Sequence, residues 1–338
     1  MLYIGLDVHS RQSSLCILNA QGGKINQIQV NGPRSAVVER LRKLDEPFSV
    51  CYEASIGYGQ LYESLRPIAA HVAVAHPGKL RLIYGDKRKN DRVDANKLAK
   101  LLLLDMVPRV HVPHIDVRAW RSLIVLRQRV LQQLVRAKNQ IRGVLRENDL
   151  AGPKWLWSRK QLAWLESLEL HPVAKLRLEL AVEELKAVTA KIKRIEKELQ
   201  TYADRQPAVK FLMTIPGVGI RTAETFVAWV DDITRFRRTR QLGAYFGLVP
   251  CQDQSANKNR LGHITRDGPP VMRKLICEAA WTAVKKCPAF KGYFERIMAG
   301  KPERKKIAIV AASHRLIRVM GAMMRSGTAY DANYRNNG

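Results

Sequence analysis

The chain has 338 residues, 46% of them hydrophobic, enough for two domains and a connector with real cores. Its 58 Lys and Arg against 30 Asp and Glu give a formal charge of +28, a field that selects a polyanion, with nucleic acid the first candidate. Five cysteines, odd in number and without C-x-x-C spacing, argue against a disulfide framework or a zinc site and suit a reducing cytosol. No basic n-region with an apolar core opens the chain, and no apolar run approaches the roughly 20 residues of a membrane helix. The expectation is a soluble cytoplasmic protein with no membrane partner.

The charge is uneven. The surplus of basic over acidic groups rises from +6 in residues 1–110 to +8 in 111–208 and +14 in 209–338. A merely soluble charged surface does not explain why acids thin out so strongly in the last third.

Residues Met1 to Ser10 read MLYIGLDVHS. Leu2, Ile4 and Leu6 alternate with Tyr3 and Gly5, a period of two that predicts a strand ending at Asp7. A carboxylate is costly to bury unpaired, so an acid closing a core strand is either a turn residue or a metal ligand. Ser13 to Asn19 and Lys24 to Val30 read as two more strands about the turn Gln21-Gly22-Gly23. A helix over Ser35 to Leu44, a strand over Phe48 to Tyr52 ending at Glu53, a helix over Tyr58 to Ala69 and a strand over His71 to Ala75 follow. Next comes a helix headed by Asp91 and Asp94, whose spacing puts both on one face. The order β-β-β-α-β-α-β-α predicts a mixed sheet with helices.

In a bland reading, acids in a first turn merely favour the helix dipole. The set suggests more. The ends bearing Asp7, Glu53, Asp91 and Asp94 can converge at one sheet edge, where two divalent ions would relieve their repulsion. Two ions about 4 Å apart suit phosphodiester chemistry.

This order of acids, with GLDVHS at the front and NDRVDANKLA at the back, resembles the DEDD-type RuvC-like fold, an RNase H-like α/β architecture. More specifically it resembles the DEDD transposases of the insertion-sequence one-ten type. The resemblance implies a bridge-RNA-guided recombinase whose Asp7, Glu53, Asp91 and Asp94 hold Mg²⁺, with Mn²⁺ as a substitute ion. It also implies DNA and guide RNA as partners, and homodimers that pair into a tetramer.

Beyond this domain, expected over 1–110, a helical connector over 111–206 is predicted. Val117 to Asn148 carries an apolar stripe and a basic one, broken at Gly152-Pro153. Trp155, Trp157 and Trp164 follow beside Arg159 and Lys160; they suit either core packing, the expectation for most of them, or stacking on single-stranded RNA. Over Val173 to Tyr202, Leu178, Leu185, Ile192 and Leu199 fall seven apart, as do Ala181, Val188, Ile195 and Tyr202. These are coiled-coil a and d positions, pairing within one chain or between chains.

A mainly helical C-terminal domain is expected over 207–327, with a disordered tail over 328–338. Its Pro216-Gly217-Val218-Gly219 between two helices resembles a helix–hairpin–helix, in which Gly217 and Gly219 approach phosphates, or a plain tight turn. Arg235, Arg237 and Arg238 are further candidate nucleic-acid contacts. Residues 251–268 are polar and read as an exposed functional loop.

Family resemblance singles out Ser255 there. A P-x-x-x-x-S loop and a downstream G-x-I-[ST] segment match Pro250 to Ser255 and Gly262-His263-Ile264-Thr265, which implies that Ser255 is a nucleophile forming a phosphoserine link to DNA. The match departs at Ala256 and Pro269, where the family usually has Gly and Asn. Thr265 is the fallback nucleophile, His263 a candidate proton carrier, and Lys258, Arg260, Arg266, Arg273 and Lys274 are candidate phosphate contacts. The alternative reading is a metal-dependent structure-specific nuclease, resembling a Holliday-junction resolvase and using water. A third is a non-catalytic nucleic-acid-binding protein.

Overall fold

A computed structural model describes residues 1–83, 91–255 and 258–331; within these, the side chains of 91, 92, 253–255, 258, 259 and 261 lie outside the description. The chain forms two compact units, Met1–Ile115 and Asp116–Gly338.

The first unit is a five-stranded sheet of order β3-β2-β1-β4-β5. Its elements are β1 (Leu2–Val8), β2 (Gln12–Leu18), β3 (Lys24–Asn31), α1 (Arg34–Arg42), β4 (Phe48–Glu53), α2 (Tyr58–Leu65), β5 (His71–Ala75), α3 (Pro77–Ile83) and α4 (Asp91–Leu103). Strands β1, β2 and β3 form an antiparallel meander, and β4 and β5 extend it in parallel. Alternation along β1 divides the side chains between two layers. Leu2, Ile4 and Leu6 join Val50, Tyr52, Val37 and Leu61 in the core beneath α1 and α2. Tyr3 and Cys51 face the other way, against Leu98, Leu101 and Leu102 of α4. Helix α3 was not expected, because Pro77-Gly78 hides so short a helix from periodicity.

The second unit begins with α5 (Ile115–Glu147), α6 (Arg159–Ser167) and α7 (Pro172–Asp204). The two long helices pair within one chain, antiparallel. Trp120 stacks on Tyr202, Arg127 binds Glu196, and Glu147 binds Arg177, three contacts in one register. The heptad residues Leu178, Leu185 and Leu199 are buried in that seam, with Val188 and Ile195. Sequence periodicity alone left pairing within or between chains open; within this chain the two helices pack on each other.

The remaining helices are α8 (Pro207–Leu212), α9 (Ile220–Val230), α10 (Gln241–Tyr245), α11 (Pro270–Lys286), α12 (Pro288–Met298) and α13 (Lys305–Ser326). They share one core with the near halves of α5 and α7. The stretch read as a loop is instead a hairpin of β6 (Pro250–Ser255) and β7 (Lys258–Ile264). It pairs through backbone hydrogen bonds, and its polar side chains gave no alternation to find. The tail expectation also needs correcting: Tyr330 packs on the core, its N–H donating to Thr214 Oγ1 at 2.8 Å. Residues 332–338 lie outside the described residues. Contrary to the absence of a long apolar run in the sequence reading, Pro302–Ser326 is long and apolar enough to cross a membrane. Half of that window is buried inside the protein, and Ala312, Leu316 and Met320 lie at the centre of the core, as in a central helix of a folded domain.

Candidate functional site

Asp7 and Glu53 close neighbouring strands. Gly5 pairs with Cys51 and Leu6 with Tyr52, so the two acids occupy the next register position of the parallel β1–β4 ladder. Alternation puts both on the face of Tyr3, Gly5 and Cys51, the face that α4 covers. Helix α4 lies directly on Gly5: a Cβ there would fall 2.0 Å from the Ala95 carbonyl oxygen and 2.4 Å from the Ala99 nitrogen. At the other end of α4, a Cβ on Gly22 would sit 3.3 Å from Leu103 Cδ2. Gly22 belongs to the β2–β3 turn, beside the start of β1. The helix therefore runs antiparallel to β1, and its first turn, with Asp94, lies toward the Asp7 end.

The fold thus places Asp7, Glu53 and Asp94 toward the same end of one sheet face, while the Asp91 side chain lies outside the described residues. His9 Nε2 is 3.4 Å from Asp7 Oδ2, and Lys97 Nζ is 3.7 Å from Asp94 Oδ1. Among the described residues, no group of three His, Cys, Asp or Glu side chains closes to metal-holding distance. Carboxylate oxygens are the donor class that hard divalent ions take, and these three, partly or fully exposed, are not closed around a common point.

Ser255 is the last residue of β6, paired with Lys258 across the hairpin; both side chains, and Ala256 entirely, lie outside the described residues. The base of the hairpin is held tightly. A Cβ on Gly247 would fall 2.3 Å from the Asp267 backbone, and one on Gly268 would fall 2.2 Å from the Tyr245 carbonyl oxygen. Arg273 Nη1 donates to the carbonyls of Asp267 (2.5 Å), Gly268 (3.1 Å) and Phe246 (3.4 Å), so this expected phosphate contact clamps the hairpin base. Thr265 Oγ1 is buried, with no hydrogen-bond partner among the described residues. His263 is exposed on β7.

The other basic candidates divide. Arg237, Arg238, Arg260, Arg266 and Lys274 are exposed. Arg235 instead lies over the rings of Phe236 (4.9 Å) and Tyr245 (5.3 Å). The two turn glycines divide as well. Gly217 has φ +96°, and a Cβ there would lie 2.7 Å from the Ala279 oxygen and the Ala283 nitrogen, so its bareness serves packing on α11. Gly219, the N-cap of α9, has open space around it.

One buried group escaped the sequence reading. Glu224 is 1% exposed on α9 and receives Arg221 Nη1 on both oxygens, at 3.0 and 3.1 Å. Burial pushes its pKa up to about 7, against the opposing pull of Arg221. Glu196 links Arg221 (4.0 Å) to Arg127 (2.6 Å), so the chain of charges joins α9 to both long helices. Its one signal in the sequence is a glutamate inside the apolar run Thr222–Val230.

Two stretches of the chain match families of known proteins. Residues 4–148 match the DEDD transposase profile of the IS110 type, described as "Transposase". Residues 209–295 match "Transposase IS116/IS110/IS902 family". The transposase for insertion sequence element IS1111A of Coxiella burnetii is 29% identical over 281 residues, covering 82% of this chain and 76% of the relative. The transposase for insertion sequence element IS1328 of Yersinia enterocolitica is 24% identical over 287 residues, covering 84% and 86%. With two profiles of one family matched in order, an α/β sheet unit of the DEDD kind and a helical C-terminal region, the chain belongs to the IS110 family of insertion-sequence transposases, enzymes that process DNA.

Proposed function

We propose that this transposase cleaves and rejoins DNA through a covalent phosphoserine at Ser255, with divalent ions held by Asp7, Glu53, Asp91 and Asp94. The observation that carries the reading is that Asp7, Glu53 and Asp94 lie toward the same end of the face under α4. Bound Mg²⁺ or Mn²⁺ would offset the carboxylate repulsion and polarise a phosphoryl oxygen. As the Ser255 Oγ–P bond forms, the hydroxyl loses its proton, one P–O bond of the backbone breaks, and the departing sugar hydroxyl takes up a proton. Attack by a second sugar hydroxyl reverses the step and frees the serine. One phosphoester replaces another throughout, so strand exchange needs no high-energy cofactor.

Support for the serine is its place at the end of β6, on a hairpin whose base is clamped by Arg273 and two glycine contacts. Exposed Arg237, Arg238, Arg260, Arg266 and Lys274, with Lys258 and the open Gly219 turn, supply a sequence-independent grip on phosphates. Sequence choice is assigned to a guide RNA, and the working assembly to dimers paired into a tetramer in the bacterial cytoplasm.

The test is a denaturing gel of protein incubated with labelled donor and target DNA, with guide RNA and Mg²⁺. Ser255→Ala should abolish covalent protein–DNA adducts while DNA and RNA binding persist; adducts that survive the substitution exclude Ser255 as the nucleophile. Calorimetry should show Mg²⁺ affinity falling at least tenfold in Asp7→Ala and Asp94→Ala, and an unchanged titration would remove these acids from the metal site.

A further inference from the structure

The turn between α5 and α6 carries a feature that neither the carboxylates nor the serine hairpin uses. Its residues run Lys154-Trp155-Leu156-Trp157-Ser158-Arg159-Lys160. Leu156 is 6% exposed and anchors the turn in the core formed by the distal halves of α5 and α7. Gly152 rests between Leu145 and Leu156, with a built Cβ 3.6 Å from each, which seats the turn on the last turns of α5. Ser158 Oγ then caps α6 by accepting from the Gln161 N–H. The backbone is thus tied down on both sides of Trp155.

Of the three neighbouring tryptophans, Trp157 and Trp164 pack partly on this core; Trp155 does not and is 73% exposed. A large aromatic held on an anchored turn and left in water is an unused stacking surface. Its setting is cationic. Lys154 Nζ lies 5.7 Å from the Trp155 ring centroid. Lys138 Nζ and Arg142 Cζ lie 4.9 and 5.1 Å from the Trp157 ring. Lys138, Arg142 and Arg146 succeed one another at one-turn spacing on α5, and Arg159 and Lys160 open α6. The nearby acids are fewer: Glu147 is bound by Arg177, Glu166 by Lys186, and Asp149 is exposed.

We infer that this turn is a docking site for single-stranded nucleic acid, with a base stacked on Trp155 and the backbone phosphates drawn by Lys138, Arg142, Arg146, Lys154, Arg159 and Lys160. Charge complementarity chooses this occupant over a protein surface, and an unpaired base is what an exposed indole can stack on. A base inside a duplex offers its edges and not its face. The inference rests on the nucleic-acid partners proposed above and adds the place where an unpaired strand is held.

The experiment uses the full chain and fluorescence anisotropy of labelled 12-nucleotide oligo-uridylate, oligo-thymidylate and a 12-base-pair duplex at one fixed salt concentration. Trp155→Ala should lose about tenfold in affinity for the single strands and under twofold for the duplex, and Trp155→Phe should recover most of the loss. Because Trp155 is exposed, the melting temperature should be unchanged, and circular dichroism checks this. A loss confined to the uridylate assigns the site to RNA, and one confined to the thymidylate assigns it to an unpaired DNA strand; either supports docking. Wild-type affinity in Trp155→Ala overturns the inference alone. A wild-type chain that binds none of the three probes overturns the proposed function with it. Unchanged strand binding with weakened self-association in sedimentation makes the face an interface between copies, which also overturns the inference.

Discussion

The Ala95 carbonyl lies where a side chain on Gly5 would have to go, so Gly5→Ala must push α4 away from the sheet. Overpacking of that kind costs about 1–3 kcal/mol, and chemical denaturation of the variant should show a loss in that range. Because Asp94 adjoins Ala95, the same variant should also lose Mg²⁺ affinity. At Glu224 the direction of pH dependence is set by burial. Its folded pKa of about 7 lies above the ordinary 4.5, so between those values the folded protein holds a proton that the unfolded chain has released. The contribution of Glu224 to stability therefore falls as pH rises from about 4.5 to 7, by ~3 kcal/mol in all. Denaturation curves at pH 5 and pH 8 should show this fall in the wild type and a flatter response in Glu224→Gln; parallel curves would mean the acid is not strained by burial.

Elements show what pattern reading reaches and where it stops. Strand β1 was legible because Leu2, Ile4 and Leu6 pack on one layer at the spacing a strand imposes. The heptads of α7 were legible because Leu178, Leu185 and Leu199 must be buried for that helix to exist. The β6–β7 hairpin was not, since Gln252, Asn259 and Arg260 pair by backbone and carry no apolar rhythm. Nor does composition distinguish an arginine that meets phosphate from one that holds its own chain. Arg273 clamps three carbonyls, and Arg121 Nε donates to the Ala228 carbonyl at 2.7 Å, closing the C-terminal end of α9. Family resemblance, and not pattern, was what made Ser255 a candidate. The turn before α9 now separates structure from function within one motif. Gly217→Ala should destabilise the second unit, since φ +96° and the α11 backbone both oppose a side chain. Gly219→Ala should cost under about 1 kcal/mol. If the α8–α9 turn grips phosphate, duplex affinity should drop in Gly219→Ala with at most a small fall in melting temperature, and undiminished affinity would make this a plain turn.

At the scale of the whole molecule the charge of +28 dominates encounter with nucleic acid. Duplex affinity should fall about a thousandfold between 50 and 200 mM salt if six or more phosphates are contacted, and a shallow slope would limit the grip to a few cations. The two long helices also share their burial between two cores. Trp120, Ile124 and Val130 belong with the C-terminal helices, whereas Ala137, Ile141 and Leu145 belong with Leu156, Leu165 and Leu178; Leu134 packs on both. One hairpin thus packs into two hydrophobic clusters that meet near Leu134. Amide exchange should accordingly have two regimes along α5, slow up to about Val130 and faster beyond Ala137. If exchange shows those two regimes, the tip bearing Trp155 opens as a whole, with its anchored turn intact, without melting the root that packs on the C-terminal helices.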